Sequence, residues 1–150
     1  MKISAAFAVA TVAAVAFGTT AVLAQSDPIK ERMHLMKENN DNAKVVVQMV
    51  KGQRPYDAKA VAAAFTQWHE TAEKLPGLFP PNSKTGEKTR AAPKIWENKK
   101  DFDAKAAAFG KAVADNRAKA EGSLDGLKVA LSAVGKACSN CHDDYRLEKK

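Results

Sequence analysis

Apolar residues recur every three or four positions in four separate stretches of this 150-residue chain, and stripes of that period are buried by packing helix on helix. The first stretch, from about Pro28 to Lys51, places Ile29, Met33, Met36, Ala43, Val47 and Val50 on one face. Asp27 before Pro28 is its start signal: the carboxylate accepts from orphan N–H groups, and proline is tolerated at the first helical position. It is expected to end near Gly52 and the turn "GQRPYD". The second stretch has Val61, Ala64, Phe65, Trp68, Ala72 and Leu75, offsets of 3, 4, 7, 11 and 14 from the first of them. Asp57 is its expected cap, and "LPGLFPP" stops it. The third, from about Phe102, carries Ala106, Phe109, Val113 and Asn116 or Arg117, and stops at "EGS". The fourth starts at Leu124, capped by Ser123, and reads Leu127, Leu131, Val134, Cys138, Cys141 and Tyr145. No period-2 run of β-branched residues argues for a sheet. The expected fold is all-α, an antiparallel up-down-up-down four-helix bundle. From Pro76 to about Asn98 the chain is rich in Pro, Gly, Lys and Asn, so little regular structure is expected there; Leu78, Phe79, Ile95 and Trp96 are its apolar anchors.

Residues 1–24, "MKISAAFAVATVAAVAFGTTAVLA", have one early cation, a small-residue apolar run and a small-x-small ending, the layout of a signal peptide. The run from Ile3 to Ala24 approaches the length of a membrane anchor, but Ala, Gly and Thr make it weakly apolar and the polar "QSDP" follows directly. The expected organisation is a signal peptide, 1–24, and one domain, 25–150, exported to the periplasm with no membrane association after cleavage. The formal charge is +7, one unit of which is Lys2 in the leader. The lysines are spread along the helices near acids, as in "KERMHLMKE" and "DFDAK", which argues for steering of an acidic protein partner rather than for nucleic acid.

Both cysteines of the chain, Cys138 and Cys141, lie in "ACSNCHDDYR", with His142 next to the second. A thioredoxin-like dithiol would want a strand–helix setting that the sequence lacks. Zinc needs four ligands, and His34, His69 and His142 show no paired spacing. A disulfide between positions i and i+3 of one helix closes almost no loop and stabilises little. Cys-x-x-Cys-His is instead the signature of c-type haem attachment. Positions 138 and 141 share one helical face, so both sulfurs reach the same side of a porphyrin, and His142 offers an imidazole to the iron.

The placement of this motif at the end of the last helix, with "DPIKERMHLMK" in the first, "KGQRPYDAKAV" opening the second and "PKIW" in the connection, resembles the class II c-type cytochromes, the cytochrome c-prime family, over the whole of residues 25–150. The resemblance implies a single covalent haem c. In that family the residue four after the first helix's arginine faces the distal side of the haem; here the arginine is Arg32 and the residue is Met36. A subgroup with methionine there has low-spin iron and carries electrons, whereas members with a non-ligating residue stay five-coordinate and bind nitric oxide or carbon monoxide. Methionine at helical spacing can equally fill a core. The resemblance puts Met36 in the distal position; Met33, a poor second, lies about 60° from it round the helix, and His34, about 160° away, is expected to be exposed. The resemblance also sets Arg32 near the haem propionates. Arg146 could lie along the proximal face, Trp96 is expected to pack over the bundle, and Asp143 and Asp144 to be solvated.

The expected function is accordingly a periplasmic monohaem one-electron carrier, with haem held by Cys138 and Cys141, ligated by His142 and Met36, and flanked by Arg32. Nothing in the sequence resembles a general acid–base set, so no enzymatic activity is expected. The expected partners are redox proteins, and the chain is a monomer or a homodimer. The alternative is a five-coordinate binder of nitric oxide or carbon monoxide.

Overall fold

The computed structural model describes residues 27–86 and 88–148; the expected signal peptide lies outside them. Helices α1 (Pro28–Val50), α2 (Ala58–Lys74), α4 (Lys99–Gly122) and α5 (Leu124–Tyr145) form the bundle, and a one-turn helix α3 (Lys94–Glu97) sits in the connection between α2 and α4. The caps are those the sequence announces. Asp27 Oδ1 accepts from Ile29 N–H at 2.9 Å, Asp57 Oδ1 from Lys59 N–H at 2.9 Å, and Ser123 Oγ from Gly126 N–H at 3.0 Å. Each satisfies an orphan donor that would otherwise cost about 1 kcal/mol of helix stability.

Consecutive helices pack along their lengths, α1 on α2, α2 on α4 and α4 on α5, whereas α1 meets α5 only sparsely. Two close approaches depend on missing side chains. A Cβ at Gly110 would lie 3.1 Å from Ala72 Cβ, between α4 and α2, and one at Gly126 would lie 1.9 Å from Lys119 O, where α5 folds back on α4. Near the middle and far end of the bundle, Val46, Met49, Val61, Phe65, Trp68, Val113, Leu127 and Val134 form the main core. Burying each such side chain contributes roughly 1.5–3 kcal/mol over leaving it in water. Tyr56 Oη closes that far end by donating to Ala120 O at 2.9 Å.

The buried face of α1 is rotated from the expected one. Ile29, Arg32, Leu35, Val46 and Met49 are buried, whereas Met33 is 40 % and Val47 37 % exposed. Positions 29, 32, 35, 46 and 49 keep helical spacing, so the α1 sequence offers two overlapping stripes, and packing against α2 selects the one that also buries an arginine. The connection holds more structure than expected. It contains two short 3-10 turns, Leu75–Leu78 and Pro81–Ser83, and the helix α3. Its end pairs with the end of α5: an isolated antiparallel bridge joins Ala91 to Arg146, Ala92 N–H donates to Tyr145 O at 3.0 Å, and Leu147 N–H to Arg90 O at 2.8 Å. The start of α1, the connection and the end of α5 thus converge at one end of the bundle.

Candidate functional site

The converging end has its own apolar cluster of Leu75, Phe79, Ile95, Phe102 and Tyr145. Met36 from α1 and Cys141 from α5 both pack against it, although they come from opposite ends of the described chain. Cys138, one turn earlier on α5, packs instead against the main core, so the two thiols bridge both clusters along one helical face. Neither cysteine is in a disulfide. Burial pushes both thiols up; for Cys141 the Lys105 ammonium opposes that shift.

His142 is half-buried, and among the described residues its ring has no hydrogen-bond partner. Burial lowers its pKa first, and the nearby Arg146 and Arg90 guanidiniums lower it further, against Asp143. The imidazole is therefore neutral at pH 7, the form that offers a lone pair to a metal. The other two histidines stand on the surface in ion-pair geometry, His34 with Glu38 at 3.3 Å and His69 with Glu73 at 3.5 Å. Among the described residues no group of three or more His, Cys, Asp or Glu side chains could hold a free metal ion.

Arg32 is 4 % exposed and is seated by the connection. Its Nη1 donates to Leu78 O at 2.9 Å and Ser83 Oγ at 3.0 Å, and its Nη2 to Ser83 O at 2.8 Å and Thr89 Oγ1 at 3.1 Å. The guanidinium also lies 4.7 Å from the Phe79 ring centre and 5.7 Å from that of Trp96. Its Nε is buried without a partner. A buried cation bonded only to neutral oxygens, with one donor left over, is suited to an anionic group brought in by a cofactor.

These residues fit a covalently held haem on several counts: two thiols on one face, a neutral unpartnered imidazole beside them, a thioether on the facing helix, an orphaned buried guanidinium N–H, and a sparse α1–α5 seam. Sequence reasoning missed the seat of Arg32, because Ser83 and Thr89 lie in the polar run of the connection and carry no periodic signal. Asp144, expected to be solvated, is held by Lys94 at 2.8 Å and Lys105 at 3.0 Å, which draw its pKa down. Trp96 packs edge-on to Phe79, with ring centres 5.6 Å apart, and donates from Nε1 to Pro80 O at 3.1 Å.

Tyr145, one turn beyond Cys141, is buried against Phe102 and donates from Oη to Asp101 Oδ2 at 2.6 Å. Burial, aided by the Asp101 carboxylate, pushes its pKa up to about 12. An unfolded tyrosine loses its proton near pH 10, so the folded state binds the proton more tightly between about pH 10 and 12. That contribution to stability is complete below pH 10 and disappears as the pH rises through 12. Tyr145→Phe should flatten this alkaline limb in urea unfolding measured from pH 9 to 12; identical limbs in the two proteins would contradict the assignment.

The family model described as Cytochrome C' matches residues 27–146. Cytochrome c-556 of Rhodopseudomonas palustris is 42 % identical over 131 residues, covering 85 % of this chain and 87 % of that protein. Cytochrome c' of the same organism is 39 % identical over 145 residues, covering 94 % and 97 %. A solved structure of cytochrome c' from R. palustris superposes with a TM-score of 0.79 at 34 % identity, covering 84 % of this chain and all of that one.

Proposed function

Because the chain belongs to the cytochrome c' family, whose cofactor is covalent haem c, we propose that it is a periplasmic one-electron carrier in which Cys138 and Cys141 hold the haem, His142 is the proximal ligand and Met36 the distal one. Haem c supplies a one-electron iron(III)/iron(II) couple. The packing of Met36 and Cys141 against one apolar cluster is the observation that supports this reading most directly. Met36 presents a thioether, which favours the reduced state and closes the distal side to small ligands. His142 provides a neutral imidazole from α5. Phe79, Ile95, Phe102 and Tyr145 exclude water, which further raises the cost of the more charged oxidised state. Arg32 sets positive charge beside the cluster to offset the negative charge of the cofactor's carboxylates. Export to the periplasm follows from the leader in residues 1–24, and among the described residues no helix is long and apolar enough to cross a membrane.

The second reading, a five-coordinate protein binding nitric oxide or carbon monoxide, is favoured by the similarity to cytochrome c' across 94 % of the chain. The visible spectrum of the purified protein separates the two. Low-spin bands in both oxidation states, with the weak near-red band of iron–thioether coordination in the oxidised one, are expected. A high-spin ferrous spectrum that shifts at once on adding carbon monoxide would overturn ligation by Met36.

A further inference from the structure

Charge is divided unevenly along the chain. Residues 25–74 carry eight lysines and arginines against seven acids, whereas residues 75–150 carry fifteen against ten. The surplus thus belongs to the connection, α4 and the residues that follow α5, since α5 itself carries two lysines against three acids. Along α4 much of it is spent in local pairs, Lys99 with Asp103, Lys111 with Asp115 and Arg117 with Glu121. At the end of α5 the arrangement differs. The bridge from Ala91 to Arg146 fixes the connection beside the last turn, and Arg90 Nε donates to Leu147 O at 2.8 Å. Arg146 follows His142 by one turn and donates its N–H to His142 O, the bridge and the Arg90–Leu147 bond hold Arg90 beside that turn, and Asp143 sets one carboxylate next to His142. The neighbouring Asp144 is already held between Lys94 and Lys105. Leu147, 47 % exposed, adds an apolar side chain next to Arg90.

We propose that this end of α5 is the docking surface for an acidic electron-transfer protein, with Arg90 and Arg146 meeting its carboxylates and Leu147 supplying the apolar contact. The proposal rests on the electron-carrier reading and adds to it where the partner sits. Docking there puts the partner one helical turn from His142, and the cations raise the encounter rate at low salt.

The test is stopped-flow reduction of the oxidised holoprotein by reduced flavodoxin, used as an acidic one-electron donor, from about 10 mM ionic strength upward. Arg90→Gln/Arg146→Gln should slow the bimolecular rate roughly tenfold at low salt and flatten its salt dependence. Lys59→Gln/Lys119→Gln, at the far end of the bundle, removes the same charge and should stay within about twofold. Because Arg90 also holds the C-terminal segment, Arg146→Gln alone is the second variant, expected to slow the rate about threefold. Equal slowing by both double variants would show uniform steering and overturn the proposal. A loss found instead in Lys105→Gln/Lys136→Gln would move docking to the α4–α5 groove those lysines line with Ala133, Ala137 and Asn140. Unchanged flavodoxin rates with Arg90/Arg146-dependent binding to anionic phospholipid vesicles would reassign the surface to a membrane. The resting spectrum tests the carrier reading separately, since a high-spin wild type would fail it while the comparison of variants still locates the docking face.

Discussion

Leucine in place of Met36 is expected to convert the protein to a high-spin form that takes up carbon monoxide within mixing time when reduced. Leucine and methionine differ little in volume, and such exchanges usually cost less than about 1.5 kcal/mol, so the bundle should stay folded. What disappears is the thioether sulfur that the proposed ligation uses, on a side chain packed against the cluster. The near-red thioether band should vanish, and the reduction potential should fall by something on the order of 100 mV, a modest part of the range that axial ligands span. Met33→Leu is the matched control: Met33 is 40 % exposed, and its replacement should leave the spectrum unchanged. If Met36→Leu kept the wild-type spectrum, Met36 would not be bound to iron.

Arg32→Leu is expected to be the most damaging single change to stability. It removes four hydrogen bonds at once and strands the carbonyls of Leu78 and Ser83 beside the aromatic pair Phe79 and Trp96. Leaving buried acceptors unsatisfied costs about 1–3 kcal/mol each where water cannot reach them, so a net loss of about 3 kcal/mol in urea unfolding at pH 7 is the expected result. Arg32→Lys should recover only part of it, because one ammonium cannot fill four divergent acceptor positions. Limited proteolysis supplies a second readout: cleavage in residues 84–90 should rise in both variants, more in Arg32→Leu. Stability and cleavage both at wild-type levels in Arg32→Leu would show that the connection does not depend on this seat.

Helix boundaries were legible wherever a local chemical device sets them. Asp27, Asp57 and Ser123 cap through their own side chains, so the starts of α1, α2 and α5 can be read from three or four residues. The start of α4 could not: Asn98 makes no side-chain cap, and the helix begins at Lys99 rather than near Phe102. The buried face of α1 was misjudged because Met33 and Val47 are as apolar as Leu35 and Met49, and periodicity alone cannot choose between stripes a few tens of degrees apart. Cys138, Cys141 and His142 were visible because their spacing is local. Met36 came from the family resemblance, since a methionine on a helix has no chemical signature of its own. The seat of Arg32 and the clamp on Asp144 escaped because their partners lie about forty to sixty positions away in sequence.

The sparse seam between α1 and α5 also bears on how the chain assembles. Each long helix packs chiefly on its successor, so most of the core can form from segments that follow one another closely, an arrangement that favours rapid folding. Closing the ring of helices is the step that joins distant parts of the sequence, and Met36 and Cys141, packed against one apolar cluster, belong to that closure. A cofactor tethered to α5 alone would then complete the circle by drawing in α1, and with Met36 as the proposed sixth ligand, late closure of the fold and its capture would be one event.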